Sequence, residues 1–457
     1  MRARAAFLAV AYLAIAVAAF ALRPVATPGP FLRDFEAYWS AGAAWNAHDD
    51  PYGPAIWNGE RTVPGVDARR DEVLPFVGPP ATAVAFSPLA RLPYPAAAKL
   101  WYALLALALF ALVAIALRAI GAPASAEYFA AGVALAIGFG PITSDLALGQ
   151  LALPAFLGAT VAAVVGRPAL ATIGAFAGWL QPNVALAMLS RFGRNRATLG
   201  IAAGSLLAYA VGAFVAGPRW PVAYLSLLRA HGGAERFSAI QFTPAAIAFG
   251  YGASPAAAIA AGLGVALAAV VAAIAIYRTT LDPFARFAAC SALLPFVAGF
   301  FHEHDLLAAF PAAVYCARAA RGRTRTVALA AVLFVAIDWL GLAQRPTGIA
   351  QSIALAIAAA CAFAALAPRP ELRGGVPAIA VAALVFAACA AAAAAHPQPV
   401  WPDALGAFRS PTPGVAATWL AEQRRTGLLN PQWVWALLRT LSLTGCAGLA
   451  WAAARAA

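Results

Sequence analysis

The sequence predicts an all-α polytopic membrane protein with roughly a dozen membrane-crossing segments, and three observations carry that prediction. The first is composition: of 457 residues, 63% are hydrophobic and 11% charged, and the mean hydropathy is +0.78. Soluble domains carry about 25% charged residues. A water-facing surface cannot be built from less than half that supply, so lipid must cover much of the chain. The second is patterning. Long apolar runs recur from end to end, at 5–22, 100–117, 256–277, 326–343, 349–367, 374–395 and 432–453. About 20 apolar residues cross ~30 Å of hydrocarbon as a helix. The runs are continuous and do not alternate, which favours helices over a barrel. The third is charge. The net +13 resides almost wholly in arginines, with Lys99 the only lysine, and these cluster in short loops between apolar runs. That is the positive-inside signature of a cytoplasmic face, so no nucleic-acid partner is expected.

The elements follow from the N-terminus by parity. Arg2 and Arg4 place the start in the cytoplasm, and residues 5–22 cross outward. This run is long for a signal-peptide core, and it is expected to stay as the first helix. Residues 23–96 form a long outer segment, 97–117 return to Arg118, 126–144 go out, and 150–166 return to Arg167. Read as one crossing, 168–190 would invert every later basic loop. Gln181-Pro182-Asn183 interrupts that run, however, and proline removes a helix donor. Two short helices, 168–180 inward and 182–190 back, restore the pattern, with a polar turn lining protein or a wet cavity.

After that turn, 197–216 go out, 217–253 stay outside or interfacial, 254–277 return, 284–301 go out and 306–320 return. The last crossings are 326–343, 349–367, 374–395 and 432–453, with an outer segment at 396–431 before the final one. Residues 1–457 thus read as one integral membrane domain. The five cysteines sit in or beside apolar runs without metal or redox spacing, and read as small apolar filler. The alanine and arginine usage suggests a GC-rich bacterial genome, hence a bacterial cytoplasmic membrane.

In this orientation the polar residues segregate. Cytoplasmic loops hold arginines and little else. The outer side holds RDFEAYW (33–39), NAHDDPYG (46–53), Gly149-Gln150, Gln181-Pro182-Asn183 and FHEHD (301–305). Ionisable groups at membrane depth are costly and usually functional, so a site at the outer interface is expected. Residues 34–47 are read as a short interfacial helix, with Phe35, Tyr38 and Trp39 among lipid headgroups and Asp34 at the helix start. Taken alone, Asp34 reads as an N-cap with a solvated face. FHEHD could bind a metal, relay protons, clamp a substrate or cap a loop. Gln150 alone reads as a helix cap. Asp145 and Asp338 are assigned nothing.

The order of DFEAYW, NAHDDPYG, GQLALPAFL, QPNVALAML and FHEHDLLAAFPA over residues 1–320 resembles the polytopic glycosyltransferases of family 87, which have the GT-C fold. The resemblance implies a GT-C-like bundle of roughly 12–14 transmembrane or half-membrane helices. It implies transfer of a sugar, mannose by family habit, from a polyprenyl-phosphate donor to a lipid or glycan acceptor at the outer face. Asp34 occupies the position of the family's proposed catalytic base, and Tyr38 and the Asp-Pro-Tyr ending at Tyr52 also match. Gln181 stands where the family often has a basic residue. Arg33, Glu36, Gln150, Gln181, His302, His304 and Asp305, with the two tyrosines, are the candidate substrate contacts, and Arg33, His302 and His304 the candidates for the leaving phosphate. No metal and no cofactor is expected, because the donor is already activated. A transporter or flippase, and a non-catalytic binder of lipid-linked substrate, are the competing classes. Transporters share broken helices but usually show repeat symmetry and mid-depth charges.

Overall fold

A computed structural model describes residues 2–21, 31–66, 74–193, 196–280, 282–337, 348–369, 376–396 and 414–457. All regular structure among them is helical. Among the described residues, six helices are long and apolar enough to cross a membrane: Arg2–Ala21, Tyr94–Ala119, Arg196–Ala216, Pro255–Thr279, Gly348–Leu366 and Trp433–Ala456. The pair Ala126–Ile137 and Gly140–Leu148, bent by 74°, has the shape of a broken span or a re-entrant loop.

The long-helix count is lower than the run count because apolar runs arise for two reasons. Pro255–Thr279 is apolar and largely exposed on the protein's outside, as a lipid-facing helix must be. The runs 284–301 and 306–320 are apolar because they are buried in protein. They resolve into Pro283–Ser291, Leu294–Val297 and Phe310–Ala319, with Phe287 and Phe310 fully enclosed. The run 168–190 breaks as its proline requires, into Pro168–Gly178, Pro182–Ala185 and a 3-10 turn Leu186–Arg191. The run at 326–343 is helical over Gly322–Val335; Asp338 and much of the 396–431 segment lie outside the described residues.

In a bilayer, helices gain little by hiding apolar surface from lipid, and close packing at small residues takes over. A Cβ on Gly158 would stand 2.6 Å from the Gly174 carbonyl oxygen, and one on Gly204 2.3 Å from that of Thr172. The helices 152–164, 168–178 and 196–216 therefore pack nearly backbone to backbone, which fixes the turn at 179–181 that follows.

The helix expected at 34–47 is present as Phe35–Asn46, but its setting corrects the expectation. Phe35 and Trp39 are buried in protein and do not sit among headgroups. Phe35 stacks on Trp101 at 5.9 Å, with Phe86 at 6.0 Å and Tyr94 at 5.6 Å. This aromatic cluster packs the helix against Tyr94–Ala119.

Candidate active site

The first half of the site is built around Asp34. Gly149 ends the helix Gly140–Leu148 in the left-handed region, φ +76, which glycine adopts without Cβ strain. Its neighbours lock it: Trp101 Nε1 donates to the Gly149 carbonyl at 2.8 Å, and the Asp34 amide donates to the Leu148 carbonyl at 2.9 Å. Leu32 is itself left-handed, φ +56, a costly state for a non-glycine residue. Tyr94 hydroxyl holds it by donating to the Leu32 carbonyl at 2.9 Å. The result places Asp34 and Gln150 side by side, although 116 residues separate them. Gln150 Nε2 donates to Asp34 Oδ2, and Gln150 Oε1 accepts from the Tyr38 hydroxyl at 2.7 Å. Asp34 stands at the N-cap position of its helix but makes no side-chain cap bond to it, and the Gln150 side chain bonds Asp34 and Tyr38. Among the described residues, Asp34 Oδ1 accepts no hydrogen bond. Burial raises the Asp34 pKa above its ordinary value; the charge of Arg33 and the Gln150 bond oppose the shift without cancelling it.

The second half is FHEHD. The Phe301 amide donates to Gln241 Oε1 at 2.9 Å, and the His302 amide to Asp305 Oδ2 at 3.0 Å, which folds the segment into a tight turn before the 3-10 stretch His304–Ala309. Gln181 Nε2 donates to Asp305 Oδ1 at 2.8 Å, so the proline-broken turn and FHEHD meet. His302 Nε2 lies 2.7 Å from Glu235 Oε1 and 3.1 Å from Gln241 Nε2. Trp419 Nε1 donates to the other Glu235 oxygen at 3.1 Å. Burial disfavours the charged forms of both partners, yet their mutual attraction wins. The His302 pKa is raised and the Glu235 pKa lowered, consistent with an imidazolium–carboxylate pair. His304 is pushed well down by burial and by the charge of His302, and stays neutral. Burial carries Asp305 up to about 6, against the lowering effect of His302 and of its hydrogen bonds.

Both halves line one cavity of about 280 Å³. Of the sequence-predicted residues, Asp34, Tyr38, Gln150, Gln181, His302, His304 and Asp305 are in its wall. Arg33, Glu36 and Tyr52 are not. Glu36 is buried on the other side of its helix, where its charge is felt by Glu60 and Tyr94. Residues two apart on a helix point about 200° from each other, so Asp34 and Glu36 cannot share the cavity. Tyr52 supports the wall from behind, donating to the Gly78 carbonyl at 2.9 Å. The charge of Arg33 is felt by both Asp34 and Glu60.

Sequence reasoning passed over Glu235, Trp419, Tyr224, Ser144 and Arg439, all of which line the cavity. Ser144 Oγ and Gln181 Oε1 are buried there without a hydrogen-bond partner among the described residues. Such groups are costly unless something pairs with them. Ligand atoms of His302, His304 and Asp305 come within 4.8 Å of one another, the spacing of a possible cation site. However, His302 Nε2 is engaged by Glu235, and both Asp305 oxygens already accept hydrogen bonds.

A helical membrane protein with a buried polar cavity joining carboxylates, amides and an imidazolium belongs with enzymes or carriers of lipid-soluble polar substrates. The choice between them comes from comparison with known proteins. Residues 76–300 match the model of glycosyltransferase family 87. The match indicates a membrane-embedded glycosyltransferase. The matched segment contains Gln150, Gln181, Tyr224 and Glu235; Asp34 lies before it and His302 just beyond it. Neither the curated proteins nor the solved structures yield a match.

Proposed function

We propose that the protein transfers a sugar, mannose, from a polyprenyl-phosphate donor to a lipid or glycan acceptor at the outer face of the bacterial cytoplasmic membrane, with inversion at the anomeric carbon. Asp34 is the general base. The observation that carries this reading is the Asp34 carboxylate in the cavity wall, anchored through Oδ2 to Gln150, with Oδ1 left to accept a proton.

The acceptor hydroxyl attacks the anomeric carbon while its proton passes to Asp34 Oδ1. The new C–O bond forms as the bond from the anomeric carbon to the phosphate oxygen breaks, and that electron pair leaves with the polyprenyl phosphate. The burial-raised pKa makes Asp34 a stronger base than an exposed aspartate. The hydroxyls of a sugar match the unpartnered Ser144 Oγ and Gln181 Oε1. The imidazolium of His302, in the same cavity wall as Asp34 and held by Glu235, suits the negative charge that grows on the leaving phosphate. Because the donor is an activated phosphate ester, the chemistry asks for no nucleotide.

Purified protein in sealed liposomes, given a donor labelled in both sugar and phosphate, separates the classes of function. Transfer moves the sugar label onto acceptor and leaves the phosphate label on the prenyl lipid. A carrier or flippase moves both labels together across the bilayer with no new glycoside, and that result would overturn the reading.

A further inference from the structure

Arg439 is the one arginine or lysine among the described residues that line the cavity. It sits in the last long helix, Trp433–Ala456, and is 2% exposed. A guanidinium at that depth is expensive unless it is paired. Its partners are all neutral: Nε donates to the Trp435 carbonyl at 3.2 Å, and Nη1 to the carbonyls of Ser238 at 3.3 Å and Gln241 at 2.8 Å. Nη2 makes no hydrogen bond among the described residues, and no carboxylate is paired with the group.

Three backbone carbonyls orient the planar group, and its Nη2 amine is unspent. Gln241 joins Arg439 to His302: its carbonyl accepts from Arg439 Nη1, and its Nε2 lies 3.1 Å from His302 Nε2. Two cationic side chains therefore flank a single residue at one end of the cavity. Leu228, Ile240, Phe242 and Trp435 line the same cavity and supply an apolar surface.

We propose that Arg439, together with His302, forms the binding site for the phosphate of an isoprenyl-phosphate-linked substrate, with the isoprenyl chain lying on this apolar wall. The free Nη2 N–H groups can give a phosphate charge-assisted hydrogen bonds. An anion also meets the need of a buried cation that lacks a counterion. The proposal rests on the polyprenyl-phosphate reading above and adds the residue that holds the charged group.

The test uses full-length protein in detergent or nanodiscs and measures binding of farnesyl phosphate, farnesol and inorganic phosphate by calorimetry. Wild type should bind farnesyl phosphate at least about tenfold more tightly than farnesol, as a charge-assisted hydrogen bond allows. Arg439→Gln should erase that preference and leave farnesol binding unchanged. An arginine that only braces the Ser238–Gln241 turn would lower thermal stability without changing the ratio, and a retained ratio in Arg439→Gln overturns the proposal. Should Arg439→Gln not fold, Arg439→Lys decides. A lysine keeps the charge but cannot serve the carbonyls and a phosphate together, so the preference should fall severalfold; an unchanged preference overturns the proposal. Inorganic phosphate competing as well as farnesyl phosphate would overturn the lipid assignment. A wild type that shows no preference for the phosphate over the alcohol would sink the donor reading itself, and this proposal with it.

Discussion

Replacing Asp34 with asparagine isolates proton acceptance from packing. The asparagine carbonyl oxygen can take the place of Oδ2 as acceptor for Gln150 Nε2, so the Tyr38–Gln150 chain persists. The amide NH2 then occupies the position of Oδ1 and presents donors where the acceptor hydroxyl needs a base. General-base catalysis contributes roughly 10²–10⁴-fold, or about 2.7–5.5 kcal/mol of barrier. Transfer by Asp34→Asn should therefore fall by at least ~100-fold, with kcat and kcat/KM falling alike because the lost interaction exists only in the transition state. Donor binding, measured separately, should survive. Glu36→Gln is the internal control, since Glu36 lies outside the cavity wall, and its turnover should be close to wild type. The assay is single-turnover transfer from a labelled polyprenyl-phosphate sugar by purified protein. Near-full activity in Asp34→Asn with a dead Glu36→Gln would move the base to Glu36. Full activity in both would place it elsewhere, with Asp305 next.

Other tests reach the topology, the histidines and the pH response. In a cysteine-free background, His48→Cys, Gly232→Cys and Ser410→Cys should label from outside intact cells, whereas Gly193→Cys and Arg323→Cys should not; outside labelling at 323 would refute the two-short-helix reading of 168–190. His302→Ala and His304→Ala should weaken donor use while the protein stays folded, and chelators should leave activity intact; loss in chelator, restored by one divalent metal, would make the 301–305 cluster a metal site. Turnover should fall as pH drops through the raised Asp34 pKa, starting above the ordinary carboxylate value of 3.8. The Glu235–His302 pair adds a stability window. Glu235 is lowered from 4.5, so its contribution is full above that value and is lost as pH falls through its folded pKa. His302 is raised from 6.5, so its contribution is full below that value and is lost as pH rises through its folded pKa. Thermal stability across pH should accordingly peak between about 4.5 and 6.5 for this pair and lose that feature in Glu235→Gln.

The membrane class was legible because composition alone leaves no material for a wet surface. The number of long spans was not, because apolarity marks burial without saying whether lipid or protein does the covering. Phe287 and Phe310 sit in runs that read as crossings, yet they are enclosed by other helices. The site was partly legible for an electrostatic reason. Asp34, Gln150, Gln181 and the FHEHD turn stood out as polar islands in an apolar chain, and segregation to one face implied that they meet. Glu36 and Tyr52 stood out equally, but which face of a short helix looks into a cavity depends on where the helix starts. Here that is set by the left-handed Leu32 and by contacts to Gly149, neither of which a sequence displays. Arg439 did leave a signal, a lone arginine within the apolar run 432–453, that the loop-charge argument had no use for. Glu235 left a weaker one, an acid in an outer segment otherwise read as interfacial.

The central claim is inverting sugar transfer from a prenyl phosphate, and the anomeric configuration of the product tests it most directly. Purified wild-type protein, a synthetic polyprenyl-phosphate sugar of defined anomer and a lipid or glycan acceptor are combined, and the product is read by its one-bond C1–H1 coupling in NMR. The account predicts a single new glycoside whose anomeric configuration is opposite to the donor's, with one prenyl phosphate released per bond formed. A product with the donor's own configuration, or release of free sugar with no glycoside, would contradict it.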